Sequence, residues 1–169
     1  NILSSTPLRI YERMKYDKKI KNVKVKQPLF ILGYYRSGTT FLHYLLSKDP
    51  RFAYCATYEV MLPHIFLSSG NFSKKILGAA LPENRPMDNL KMGAELPKEE
   101  EFALASLGVE SLVAGYFFPK RLQEYFDKYV LFNDAKAEAN WKKNLDHFLK
   151  KVSYKYGDSN VLHIPRHGE

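Results

Sequence analysis

Apolar and polar positions follow one another in short blocks along the chain, most clearly between Pro28 and Leu46. Leu29–Leu32 is an unbroken apolar run, which is typical of a strand buried on both faces. A polar loop bounded by Gly33 and Gly38 comes next. The apolar residues after it recur at helical spacing and predict a helix with one hydrophobic stripe: Phe41, Leu42, Leu45 and Leu46. A strand, a glycine loop and a helix in this order can present backbone N–H groups to a phosphate.

The remaining pattern predicts an α/β protein rich in helices. Phe52–Cys55 is typical of a second short strand, parallel to the first, and Val161–Ile164 of a last one. Thr6-Pro7 and Pro97 are typical helix starts, and the prolines and glycine of 82–97 indicate a long ordered loop. The other predicted helices are Pro63–Leu67, Ser73–Leu81, Phe102–Leu107, Ser111–Tyr116, Pro119–Val130 and Ala135–Tyr156.

Two regions are expected from the distribution of charge. Residues 1–27 are predicted to form a basic N-terminal helix, with Leu8, Tyr11 and Met14 facing inward, and a solvated lead-in that is rich in lysine. Residues 28–169 are predicted to form the main domain, which carries the glycine loop.

The glycine loop departs from the Walker A pattern G-x-x-x-x-G-K-[ST] at one position. Gly33, Gly38 and Thr40 fit, but Thr39 stands where the lysine belongs. That lysine neutralises the β and γ phosphates of a nucleoside triphosphate, so its absence argues against ordinary ATP or GTP hydrolysis. The cation lies earlier, at Arg36, where a guanidinium can offer a planar fork of donors to an anion. The pattern therefore predicts a phosphate-like ligand.

The loop from Gly33 to Leu42, with its Arg36-Ser37-Gly38-Thr39-Thr40 core, resembles the 5′-phosphosulfate-binding loop of one enzyme family. This is the family of sulfotransferases that use 3′-phosphoadenosine 5′-phosphosulfate (PAPS). A second resemblance to the same family runs through Arg85–Asn89, Met92-Gly93 and Glu99–Leu104. The resemblance implies a P-loop-like three-layer α/β fold, with a short parallel sheet flanked by helices. It also implies PAPS as co-substrate, no metal, and transfer of a sulfuryl group to a hydroxyl or amine of a small-molecule or glycan acceptor.

The same resemblance implies the roles of individual residues. Those that bind the co-substrate are Arg36, Ser37, Gly38, Thr39 and Thr40, and Arg36 also neutralises charge during catalysis. The general base is Glu59 or Glu101. Glu59 follows the second predicted strand, where ligands of open α/β sheets bind, and related enzymes that act on protein tyrosine carry a glutamate near this place. One of the three successive glutamates Glu99, Glu100 and Glu101 matches the family's acidic stretch as an active-site candidate, and Glu101 is preferred because it directly precedes the apolar helix face that starts at Phe102.

Alternatives stay open at the carboxyl end of the chain. Val161–Gly168 resembles a later strand of the family only in part, and the arginine and serine that bind the cofactor's 3′-phosphate have no counterpart. The fold is therefore expected to be incomplete there, and the activity of this chain is left open. A P-loop kinase-like phosphotransferase and a non-catalytic anion-binding remnant are the alternative functions.

Composition adds little to this interpretation. A net charge of +8 suits an anionic ligand, and no sequence signature supports nucleic acid as a partner. The single cysteine, Cys55, excludes an internal disulfide, and no apolar stretch approaches the roughly 20 residues that span a bilayer. A cytoplasmic location is favoured, but the chain begins at Asn1, so an upstream membrane anchor stays open. The sequence leaves the acceptor and the oligomeric state open.

Overall fold

A computed structural model of the chain describes residues 2–26, 28–33, 37–85, 90–108, 110–157 and 160–163, the side chains of 2–5 and 160–163 excepted. Helices and short strands alternate through these ranges. In chain order they are α1 (Ile2–Lys21), β1 (Leu29–Phe30), α2 (Thr39–Leu46), β2 (Phe52–Tyr54), α3 (Thr57–Met61), α4 (Phe66–Ala80), α5 (Glu101–Gly108), α6 (Leu112–Gly115), a 3-10 turn (Pro119–Arg121), α7 (Leu122–Tyr129), α8 (Ala135–Tyr156) and β3 (Asn160–His163).

The three strands form one short parallel sheet in the order β1-β3-β2. Leu29 of β1 and Tyr54 of β2 both pair with Leu162 of β3, which lies between them. Helix α8 packs against β2 and β3. The predicted α/β class and short parallel sheet are therefore confirmed, whereas the three-layer P-loop arrangement stays a prediction.

Strand β1 differs from the prediction of a strand buried on both faces. Leu29 and Phe30 are 40% and 51% exposed, and the first buried residue after them is Ile31. The position of β1 explains this, because it lies at the edge of the sheet and pairs with β3 alone among the described strands. An edge strand has fewer neighbours to cover its side chains than a central one.

Helix α2 also turns its apolar stripe outward. Phe41, Leu42 and Leu45 are about half exposed, and the buried residue of the helix is His43. The amphipathic pattern thus predicted the helix correctly, but not the face that packs against the fold. The inward face of α2 is polar because it borders the cleft described below.

The hydrophobic core lies where α3, α4, α5 and α8 meet β2. Phe66 of α4 and Phe148 of α8 pack edge to face at 6.1 Å. Helix α4 continues through Gly70, where the sequence predicted two shorter helices. Within the described ranges, no helix is both long and apolar enough to cross a bilayer.

Helix α1 belongs to the same packed body, since it contacts α4 and α8. It begins at Ile2, so Pro7 lies inside the helix instead of opening it. Its buried residues are Glu12 and Ile20, whereas Met14, predicted to face inward, is 81% exposed. Glu12 accepts a hydrogen bond from Lys151 Nζ at 2.5 Å and one from the backbone N–H of Ser68 at 2.8 Å. A buried ion pair therefore helps to join α1 to the core, whereas Met14 of the predicted apolar stripe does not.

Candidate active site

Two glycines, Gly33 and Gly38, lie in the described parts of the segment between β1 and α2. A Cβ on Gly33 would lie 2.5 Å from Thr39 Cγ2 and 2.6 Å from Ser37 Oγ, closer than real Cβ contacts. Gly38 precedes α2 with φ at 89°, in the left-handed region that favours glycine. The end of β1 therefore lies close to the N-terminus of α2. Backbone N–H groups at such a helix N-terminus suit an oxyanion.

We expect Gly33→Ala to lower the free energy of unfolding by about 1–3 kcal/mol, the usual cost of overpacking. The added methyl group must displace the side chains of Ser37 and Thr39, because both would lie within 2.6 Å of it. Urea denaturation measures the change. Gly70→Ala is the matched control, because it sits inside α4 and no heavy atom lies within 4 Å of the place its methyl group would take. That variant should gain about 0.5–1 kcal/mol. Unchanged stability in Gly33→Ala would contradict the close approach of these two side chains.

The segment after β2 reaches the same edge of the sheet as the glycine loop. Because β1 and β2 both run parallel to β3, their carboxyl ends meet at one edge. Ligands of open α/β sheets bind at that edge. Thr57, three residues beyond the end of β2, begins α3 there. The loop and the start of α3 therefore belong to one site.

A strap formed by residues 94–98 runs across the start of α3. The N–H of Thr57 donates to the carbonyl of Leu96 and the N–H of Tyr58 to that of Ala94, both at 2.9 Å. In the other direction, the N–H of Lys98 donates to the carbonyl of Cys55 at 2.8 Å. The strap explains why α5 begins at Glu101 and not at the predicted Pro97. Pro97 instead forms a bridge with Ala56.

A cleft opens between α2, the start of α3, Arg85 and the segment from Leu90 to Glu99. It lies at the carboxyl edge of the sheet, and Tyr44 of α2 ties its two sides together by donating to the carbonyl of Lys91 at 3.1 Å. Its lining combines polar and charged residues with apolar ones: Thr40, His43, Tyr44, Thr57, Arg85, Leu90, Lys91, Met92, Gly93, Pro97, Lys98 and Glu99.

Cations predominate in the lining of this cleft. Arg85, Lys91 and Lys98 supply positive charge, and Glu99 is the carboxylate among the lining residues. Lys98 also lies 4.3 Å from the centre of the Phe102 ring, a cation–π contact that fixes its stem. The described part of the predicted 82–97 loop is ordered, since Arg85 N–H donates to the carbonyl of Leu90 at 2.8 Å. The cleft is therefore suited to a ligand with negative charge.

The predicted binding residues come together where the structure describes them. Ser37 and Gly38 are exposed, and Thr39 and Thr40 open α2, with Thr40 in the lining of the cleft. Arg36 lies outside the described residues, as do Pro86–Asn89 of the second resemblance.

Glu59 lies inside the fold, in a cluster of hydrogen-bond donors. One carboxylate oxygen accepts from the N–H of Ala56 at 2.8 Å. The other accepts from the hydroxyls of Tyr58 and Tyr156, each at 3.1 Å, and from Lys155. Burial, followed by the charge of Glu59, raises the pKa of both tyrosines, so they stay protonated donors. Glu59 is fully buried and is not part of the cleft lining.

The three successive glutamates before Phe102 have different surroundings. Glu100 and Glu101 are each 1% exposed, at the start of α5, whereas Glu99 is partly exposed in the cleft. The sequence favoured Glu101 because of its place before the apolar face. The cluster around Glu59 was missed from sequence, since Lys155 and Tyr156 follow it by almost 100 residues and no local pattern signals the contact.

Comparison with known proteins identifies the family of this chain. A model of the sulfotransferase family matches residues 28–168. The omega-hydroxy-beta-dihydromenaquinone-9 sulfotransferases Stf3 of Mycobacterium bovis and Mycobacterium tuberculosis are each 30% identical over 162 residues. These matches cover 95% of this chain and 42% of each relative, so the chain spans less than half of their length.

Two solved structures share the fold. Sulfotransferase STF9 from Mycobacterium avium aligns with a TM-score of 0.64 at 19% identity, covering 94% of this chain and 41% of that one. Sulfotransferase STF1 from Mycobacterium tuberculosis aligns with a TM-score of 0.64 at 16% identity, covering 94% and 44%. With the family match extending over most of its length, this chain belongs to the sulfotransferase family.

Proposed function

We propose that this protein transfers a sulfuryl group from PAPS to a hydroxyl or amine acceptor. The observation that carries the proposal is that the start of α2, with Thr40, lines a cationic cleft at the carboxyl edge of a parallel sheet. Gly33 lies against the side chains of Ser37 and Thr39, which brings the end of β1 close to this helix N-terminus, the kind of place where a phosphate group binds. Membership of the sulfotransferase family supports the same reaction.

Each part of the loop has a role in this proposal. Ser37, Gly38, Thr39 and Thr40 hold the 5′-phosphosulfate with backbone N–H groups and hydroxyls. Arg36 neutralises the charge that builds on the bridging oxygen as the sulfur–oxygen bond breaks. No metal enters the mechanism, because the protein's part is to orient the two reactants and to stabilise charge.

The acceptor is proposed to be a small molecule or glycan that presents a hydroxyl to the cleft. Two curated relatives are named for a hydroxylated menaquinone, which supports a small-molecule acceptor. The three cations in the lining of this cleft favour an acceptor with an acidic portion beside its hydroxyl.

Glu59 and Glu101 stay the sequence-predicted candidates for the general base. We expect Glu59→Gln to lower the free energy of unfolding by about 1–3 kcal/mol, because its four donors lose an anionic acceptor. Thermal unfolding and turnover are measured together, with Glu101→Gln alongside. Turnover that falls while the unfolding midpoint holds supports a base role for the residue changed. If turnover and the unfolding midpoint fall together, that residue stabilises the fold and is not the base.

Sulfur-labelled PAPS, incubated with the protein and a panel of hydroxyl acceptors, tests the function itself. The proposal expects label in the acceptor and release of 3′-phosphoadenosine 5′-phosphate. Phosphate transfer from ATP with Mg²⁺ would favour the kinase-like alternative. Binding of the nucleotide without transfer to any acceptor would favour a non-catalytic anion-binding protein.

A further inference from the structure

Glu99 has a position that neither neighbouring glutamate shares. It lines the cleft, whereas Glu100 and Glu101 are buried in the start of α5. Thr40, which closes the predicted phosphosulfate loop and lies in the first turn of α2, lines the same cleft. A molecule held in the cleft can therefore contact both the end of the predicted loop and a carboxylate.

The backbone around Glu99 is fixed to the sheet edge. The residue before it, Lys98, donates its N–H to Cys55 at 2.8 Å, and Pro97 bridges to Ala56. On the other side, the carbonyl of Glu99 accepts the N–H of Phe102 at 3.3 Å in the first turn of α5. The strap and the helix thus hold Glu99 at a set distance from the end of β2, the preorganisation that a proton acceptor requires.

We propose that Glu99 is the general base that takes the proton from the acceptor hydroxyl, an inference that rests on the proposed function. Its carboxylate forms a bond to the hydroxyl proton as the acceptor oxygen bonds to sulfur. The bond between sulfur and the bridging oxygen breaks, and its electron pair leaves with 3′-phosphoadenosine 5′-phosphate. Glu99 then releases the proton to solvent.

Other titratable and charged groups face the same cleft. His43 of α2 also lines it, but its side chain is 1% exposed and packs edge to face against Tyr54 at 6.4 Å. Arg85, Lys91 and Lys98 are cations that suit the sulfuryl charge and cannot take the proton in their charged form. Glu99 combines an accepting group with partial exposure.

Turnover of two acceptors of similar shape and different acidity distinguishes a general base from a residue that only supports the fold. 4-Nitrophenol is ionised in mildly alkaline buffer and has no proton to lose, whereas 4-nitrobenzyl alcohol keeps its proton. We expect Glu99→Gln to lower kcat with the alcohol roughly 10²-fold or more, and with the phenolate by only a few fold. Calorimetric affinity for 3′-phosphoadenosine 5′-phosphate should be unchanged. Glu95→Gln is the control, since Glu95 is exposed and pairs with Lys74 on α4.

Each of the remaining outcomes would contradict either the role of Glu99 or the proposed function. Equal losses with both acceptors would overturn the inference, because a residue that only supports the fold does not discriminate by acidity. The inference would also be overturned if His43→Gln, and not Glu99→Gln, lost activity with the alcohol alone. Binding of the nucleotide without turnover of either acceptor would overturn it as well. Failure of the wild-type chain to bind the nucleotide would contradict the proposed function, and the inference would fall with it.

Discussion

Replacing Arg36 by alanine is expected to lower sulfuryl transfer by roughly 10²–10³-fold or more, the usual loss when a preorganised donor to a developing oxyanion is removed. The loop that carries Arg36 follows β1 and leads into the N-terminus of α2, where the proposal places the anion. The departing bridging oxygen gains charge during transfer. A cation that meets this charge stabilises the transition state more than the ground state.

The controls for Arg36→Ala separate local from general effects of charge. Arg51→Ala removes the same net charge from an exposed side chain that pairs with Asp49 at 2.6 Å, and its turnover should stay near that of the wild type. Arg36→Lys keeps the charge but not the planar fork and should recover only part of the activity. Initial rates at saturating PAPS, with unfolding midpoints for each variant, give the comparison. Wild-type turnover in Arg36→Ala would refute the role of this residue.

The second large effect is expected at the buried pair between α1 and α8. Lys151→Met should lower the free energy of unfolding by about 3–5 kcal/mol, because the Glu12 carboxylate then stays buried without its cation. The side chains of Lys151 and Glu12 are 4% and 2% exposed. Lys151 also donates to the carbonyl of Pro63 at 2.6 Å, and burial lowers its pKa.

Urea denaturation of matched variants measures this effect. Lys150→Met changes the adjacent residue, whose ion pair with Asp146 is partly exposed to solvent, and should cost no more than about 1 kcal/mol. Combining Lys151→Met with Glu12→Leu should recover much of the loss, since an apolar pair leaves no buried charge. Equal stabilities of the Lys151→Met and Lys150→Met variants would show that the buried pair does not hold α1 to the core.

Sequence patterns predicted those parts of the fold in which local preference and tertiary packing agree. Helix α8 has its predicted bounds, because Asp134 caps its first turn and Phe148 and Val152 bury one face. The parallel sheet was also predicted correctly. Where partners distant in sequence decide the outcome, the prediction was wrong. The strap at 94–98 delays the start of α5, and α2 packs through His43 instead of its apolar stripe.

The candidate site also has parts that the sequence predicted and parts that it did not. Its phosphate-binding loop was visible in the sequence because a strand, two glycines and a helix are consecutive. The surroundings of each carboxylate were not, since Glu59 meets Lys155 and Tyr156 only through the packing of α8. Likewise, the separation of Glu99 from its buried neighbours depends on the strap, which is held by backbone bonds to residues about 40 positions earlier. Spacing along the chain contains no such information.

Calorimetric titration with 3′-phosphoadenosine 5′-phosphate tests most directly whether the Gly33–Thr40 loop binds a phosphosulfate donor. The wild-type chain is predicted to bind one nucleotide per chain, more tightly than ATP with Mg²⁺, and Arg36→Ala should weaken that affinity at least about tenfold, or 1.4 kcal/mol. No heat of binding, or the same affinity in the Arg36→Ala variant, would contradict the account.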